Sequence, residues 1–221
     1  MKSRARRPLA AASILAALLH LACATSRPPA RRFAAPEPAD IETARRGWSA
    51  ALERAATLPP SRLLYDARLC RGRVAAVPGT LAVTYDGSRI RRASLTGPFG
   101  SPIAEYRDGR LTGEDRRAFL VDPDALRSIL AGVWNGGDPR VEGRDLGDVL
   151  LSWSGGARVE AVMDLSDARL RSLEIDGSSG HLVIVYSGDA HPWPERVALR
   201  DARSGRSLML KLVATEPMPP S

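Results

Sequence analysis

The chain has 221 residues, 44% of them hydrophobic and 26% charged, enough for one domain with a full core and too few for two of ordinary size. Its formal charge is +7, but four basic and no acidic residues fall in the first 22, so the remainder sets 28 basic residues against 25 acidic ones, a net of +3. The arginines are scattered, with no run that could track a phosphate backbone, which excludes nucleic acid as an expected partner.

Residues 1–22 have the organisation of a secretory leader. Lys2, Arg4, Arg6 and Arg7 precede an apolar stretch over residues 9–21, shorter than the roughly 20 residues that span a bilayer. The run Leu19-His20-Leu21-Ala22-Cys23 resembles a bacterial lipobox, with His20 standing where a leucine is usual. That resemblance implies that Cys23 is diacylated, becomes the new N-terminus and is then N-acylated, which anchors the protein to a membrane without crossing it. Ala24 follows, in place of the aspartate that retains such lipoproteins in the inner membrane of enterobacteria. The implied location is the outer membrane, facing the periplasm. The competing reading is an ordinary signal peptide cut after a small residue, with Cys23 incidental. With Cys23 acylated, Cys70 has no partner and no disulfide is expected.

Residues 23–40 hold Pro28, Pro29, Pro36 and Pro38 among small and charged residues, the composition of an extended tether. One domain is expected over residues 41–214, followed by a disordered tail at 215–221. Within the domain, Ile41, Ala44, Trp48, Ala51, Leu52 and Ala55 fall on one face at helical spacing, and Pro59-Pro60 stop the helix. The period then changes to two. Tyr65, Ala67 and Leu69, then Leu81, Val83 and Tyr85, alternate with polar or small residues, and similar runs recur to Leu208-Leu210-Leu212 between short glycine turns. This predicts a meander of about ten antiparallel strands with one wet and one dry face.

A second helix interrupts the meander. Asp122 is a candidate N-cap before Pro123, and Leu126, Ile129, Leu130, Val133 and Trp134 form an apolar stripe closed by Asn135-Gly136-Gly137. A long antiparallel sheet curls. The predicted fold class is therefore α+β: a curled antiparallel sheet forming an incomplete β-barrel, closed by two or more amphipathic helices.

These features together resemble the LolB-like outer-membrane lipoprotein receptors and their relatives among periplasmic lipid carriers. The resemblance runs through the leader, the helix carrying Trp48, the hairpin over residues 81–95, the run Leu95-Thr96-Gly97-Pro98-Phe99-Gly100-Ser101, the inserted helix and the closing hairpin over residues 194–213. One departure is the segment 138–165, longer than the family's usual link and expected to add a strand pair. The resemblance implies an apolar half-barrel that takes the acyl chains of a lipoprotein from a periplasmic carrier protein and releases them into the outer membrane, as a monomer and without a cofactor. Leu81, Val83, Val159, Met163, Leu182, Ile184, Leu208, Leu210 and Leu212, with Leu126, Ile129 and Trp134 from the inserted helix, are the expected acyl-binding residues. Val197 and Leu199 share that face. The same stripes would also build an ordinary filled core, because alternation alone does not distinguish a cavity from packing.

Phe99, between Pro98 and Gly100, takes the position from which the family projects an apolar residue toward the membrane; packing back over the barrel rim is the alternative. No catalytic constellation stands out: His181 and His191 lack metal-ligand spacing, Asp138, Glu142, Asp145 and Asp148 do not order as a calcium loop, and no phosphate loop or serine elbow is present. The protein is expected not to be an enzyme and to bind no metal. Trp193 is placed either as a cap on one barrel end or in an interface. A second class of function is a scaffold lipoprotein with a filled core and a protein-binding face over residues 138–165.

Overall fold

The computed structural model describes residues 32–72, 76–178, 180–188 and 192–219. The leader, Cys23, the first part of the expected tether and His191 lie outside the described residues.

Strong period-two alternation from Ser61 onward builds twelve strands. They are β1 (Ser61–Arg71), β2 (Val77–Tyr85), β3 (Ile90–Thr96), β4 (Pro102–Arg107), β5 (Arg110–Thr112), β6 (Arg140–Asp145), β7 (Asp148–Trp153), β8 (Arg158–Asp164), β9 (Arg169–Gly177), β10 (Gly180–Ser187), β11 (Arg196–Asp201) and β12 (Arg206–Pro217). They form one antiparallel sheet in the order β5-β4-β3-β2-β1-β12-β11-β10-β9-β8-β7-β6. All links join chain neighbours except the pairing of β1 with β12, which brings the two halves of the domain together. The sheet curls but does not close, because β5 and β6 remain its two edges. The incomplete barrel read from the sequence is therefore the fold of this chain, with two strands more than expected; the segment 138–165 supplies β6, β7 and β8.

Among the described residues, two helices cover the concave side. α1 (Pro38–Ala56) starts with a reciprocal cap, in which Glu37 accepts from the backbone of Asp40 and Asp40 accepts from the backbone of Glu37. It buries Ala44, Trp48, Ala51 and Ala55. α2 (Pro123–Leu130) is capped by Asp122, whose carboxylate accepts from Ala125 N–H at 2.8 Å, and buries Leu126, Ile129 and Leu130. This helix ends one turn earlier than its apolar stripe predicts. Gly132 adopts φ 66, its N–H donates to the Ile129 carbonyl at 3.0 Å, and Val133 N–H donates to the Ser128 carbonyl at 3.0 Å. That closure consumes the last free carbonyls before Asn135 is reached.

Both boundaries of the domain also differ from expectation. Residues 33–40 are docked on the barrel instead of extending away from it. Ala34 and Arg144 exchange two backbone hydrogen bonds of 2.9 Å, and Arg144 pairs with Asp40 at 3.0 Å. The enabling residue is Gly143, where a Cβ would lie 2.5 Å from Phe33; without a side chain on β6 there, the proline-rich segment packs on the sheet edge. At the other end β12 continues to Pro217, pairing Pro217 with Ser61, so residues 215–217 of the expected tail are strand.

Polar contacts tie the ends of the barrel. Asp115 holds Arg206 at 2.9 Å and Arg71 at 3.0 Å, linking β12 and β1 to the loop before α2. Asp86 accepts from the backbone of Arg89 and Ser88 and from Arg91 in the β2–β3 turn, which keeps its carboxyl well below the usual carboxylate range. Asp164, bonded to Ser166 and Arg171, is lowered for the same kind of reason.

Candidate functional site

The concave face is assembled from register. Leu208, Leu199, Ile184, Leu173, Ala161 and Leu151 are consecutive cross-strand partners, giving one apolar row from β12 to β7. A second row runs Leu182, Ile175, Val159 and Trp153, and Leu210 pairs with Val197, which pairs with Tyr186. Leu81 and Val83 extend the same face through β2. α1 lies over the β6–β7 side, where Trp48 meets Trp153 edge-on at 5.1 Å, and α2 lies over the β2–β3 side, where Arg127 stands 5.9 Å over the Tyr85 ring.

Of the expected acyl-binding residues, Leu81, Val83, Leu126, Ile129, Val159, Met163, Leu182, Ile184, Leu208 and Leu210 belong to this single buried cluster. Two fit less well. Leu212 is half-buried beside Tyr65, and Trp134 lies beyond the end of α2, half-buried, with Gly136 packed between it and Trp153. Trp134 is thus not part of the helical cover, for the backbone reason given above.

The interior is filled. Leu81, Ile129, Met163, Ile184 and Leu208 are each 0% exposed, so no water-sized void borders them, and Met163 packs against Gly47 of α1. A cleft of about 110 Å³ opens at one end of the barrel, between Ala51 and Ala55 of α1, the turn at residues 131–133, and Tyr186. That volume is below the roughly 300–1,000 Å³ of ordinary ligand pockets; a larger hollow of about 460 Å³ beside α2 is lined mostly by polar residues, among them Ser88, Asp122, Asp124, Arg127 and Asn135, and does not offer an acyl chain a dry surface. α1 is clasped at both ends, by Asp40 to Arg144 and by Arg54, which donates to the Ala168 carbonyl at 3.0 Å. The cover formed by α2 depends on its apolar face and the contact of Arg127 with Tyr85.

Sequence reasoning missed the polar atoms inside this face. Trp48 Nε1, Tyr65 Oη, Tyr186 Oη and Trp193 Nε1 are buried without a hydrogen-bond partner among the described residues. Burial pushes the Tyr65 and Tyr186 phenols far above the ordinary value. Trp193 caps the barrel end, 2% exposed and edge-on to Tyr85 at 5.4 Å. Aromatic residues on an apolar face read as packing in a sequence; only coordinates reveal an unmade hydrogen bond.

Phe99 projects. It is 107% exposed in a single 3₁₀ turn between β3 and β4, with φ 60, so the rim-packing alternative does not describe this structure. Leu146, in the β6–β7 turn, is equally exposed at φ 45 and was not anticipated. Cys70 is fully buried on β1. His181 does have an acidic neighbour, Glu174 at 2.7 Å from the adjacent strand, a cross-strand relation hidden by sequence distance. Asp138, Glu142, Asp145 and Asp148 fall at and within the β6–β7 hairpin, Glu142 accepting from Ser152 at 2.7 Å. Among the described residues no cluster of three metal-ligating side chains occurs, and no helix is long and apolar enough to cross a membrane.

No family model and no curated protein matches the chain. Solved structures do. A LolA superfamily protein from Nitrosomonas europaea is similar at a TM-score of 0.50 and 14% identity, over 78% of this chain and 94% of that one. A putative outer membrane lipoprotein-sorting protein domain from Vibrio parahaemolyticus has a TM-score of 0.47 and 12% identity, over 79% and 93%. The first of these likenesses shows the fold: the chain has the LolA/LolB-like incomplete barrel with helices across its open side, without being singled out as LolB-like.

Proposed function

We propose that this protein is a non-enzymatic lipid carrier of the bacterial envelope, holding acyl chains of lipoproteins or related lipids against the concave face of its sheet. The observation that carries this reading is the way the barrel is closed. Its apolar interior is covered by two helices instead of by strand pairing between β5 and β6, so the cover can separate from the sheet without breaking a ladder. The name of the first similar structure, a LolA superfamily protein, agrees with it. The finer reading is delivery to the outer membrane by a monomer anchored through Cys23, which receives its cargo from a periplasmic carrier; the lipobox-like run supports this.

The filled interior favours a second reading, the scaffold lipoprotein with no ligand. One experiment separates them. An environment-sensitive fatty-acyl probe is expected to brighten on mixing with the purified full chain and to be displaced by a diacylated lipopeptide. A folded protein that leaves the probe dark would establish the scaffold reading instead. For the anchor, intact mass of the protein from membranes is expected to show a diacylglycerol adduct and an N-acyl group on Cys23, both lost in Cys23→Ser; an unmodified wild-type N-terminus would remove the anchor.

A further inference from the structure

The aromatic donors of the interior fall into two groups. Tyr85 Oη donates to the Gly87 carbonyl at 2.6 Å and Trp153 Nε1 to the Gly137 carbonyl at 2.9 Å, so where the fold alone needs a buried aromatic, it provides the acceptor. Trp48, Tyr65, Tyr186 and Trp193 have no such acceptor among the described residues. A phenylalanine would fill the same apolar positions of the two tyrosines without the cost of an unmade hydrogen bond. Tyr65 lies in the middle of β1 between Leu81 and Leu212, 0% exposed, and Tyr186 forms part of the wall of the cleft between α1 and the turn after α2.

The chemistry of these groups selects their partner. An indole N–H only donates, and a phenol held neutral by burial is most useful as a donor. Of the charged groups that line the cleft, Arg171 pairs with Asp164 and Arg169 with Asp167, while Arg54 donates to the neutral carbonyls of residues 167 and 168 and keeps its charge at the mouth. What remains inside is apolar surface with neutral donors. That surface suits a neutral acceptor attached to hydrocarbon; the charge of a phosphate or free carboxylate would be met only at the mouth, by Arg54, and not by the buried phenols.

Resting on the carrier reading above, we propose that the interior recognises ester- or amide-linked acyl chains, with Tyr65 and Tyr186 donating hydrogen bonds to the carbonyl oxygens of the linkage. The hydrocarbon binds to the leucine and isoleucine rows; one carbonyl meets Tyr186 at the cleft and another meets Tyr65 on β1, which does not line the cleft and is reached once the cover opens.

The test is displacement of the fatty-acyl probe from the full chain by 1,2-dipalmitoylglycerol and by its dihexadecyl ether, which lacks only the two carbonyl oxygens. Wild-type protein is expected to prefer the ester about tenfold, the effect of roughly one hydrogen bond made in a dry site. In the double variant Tyr65→Phe/Tyr186→Phe the ester-to-ether ratio is expected to fall toward one, while the ligand-free protein melts no lower than wild type. A diacylated lipopeptide and its dialkyl-ether counterpart form a second arm; the larger ester preference tells whether lipoprotein or glycerolipid is the better source of the linkage. Equal displacement by ester and ether in wild type overturns the inference and leaves the carrier reading standing, as does a preference that survives in the double variant. A probe that never binds overturns both. If the double variant does not fold, the single variants Tyr65→Phe and Tyr186→Phe carry the same comparison, and an ester preference undiminished in both overturns the inference.

Discussion

Replacing Ile129 by alanine is expected to weaken the fold and strengthen ligand binding at once. Ile129 is 0% exposed at the centre of the α2 face, and truncating such a residue costs about 2–5 kcal/mol of unfolding free energy. In a carrier whose resting interior is filled, part of that loss falls on the closed state alone, because α2 must leave the sheet before an acyl chain can enter. The apparent dissociation constant is the intrinsic one divided by the fraction of open molecules, so each ~1.4 kcal/mol of cover packing removed tightens probe binding about tenfold. Denaturant titration and probe titration on the same preparation measure the two effects. A scaffold with a permanently filled core predicts the loss of stability with no gain in binding. That outcome, together with a probe that stays dark on the wild type, would sink the carrier reading.

The prediction depends on a distinction that alternation could not make. Leu81, Val83, Ile184, Leu208 and Leu210 were assignable to one face from their spacing, and register confirms that they share it, because side-chain direction in a strand follows parity alone. Whether that face is empty depends on how closely α1 and α2 approach, which is a property of packing between elements distant in the chain. The same limit explains the boundaries. A proline-rich composition predicts an extended segment over residues 33–40, and it docks because Gly143, more than a hundred residues later, leaves room for Phe33. The end of α2 was misplaced for a local reason: Gly132 offered a left-handed closure before Asn135, and an apolar stripe running on to Trp134 masked it. Tyr65 and Tyr186 were legible as inward-facing aromatics, whereas their missing acceptors were not, since an acceptor can come from any part of the chain.

Phe99→Glu and Phe99→Gly are expected to slow release of bound lipoprotein into liposomes by roughly tenfold or more while leaving acyl-probe binding as it is. Phe99 is fully exposed and touches none of the buried rows, so neither change should disturb the interior. An inserted phenylalanine side chain contributes about 1.5–3 kcal/mol at an apolar surface, and a carboxylate there adds a further cost. The two variants differ in what they do to stability, which guards against a trivial explanation. At φ 60 a phenylalanine is strained and a glycine is not; Phe99→Gly should therefore stabilise the protein by about 0.5–1 kcal/mol. Phe99→Glu retains the strained backbone and, as a surface change, should stay within about 0.5 kcal/mol of wild type. Slower release from a more stable protein can then not be ascribed to unfolding. A chain that tolerates strain at its most exposed aromatic residue gains something from that side chain outside the folded monomer, and release at the wild-type rate from both variants would show that the membrane is not where it is gained.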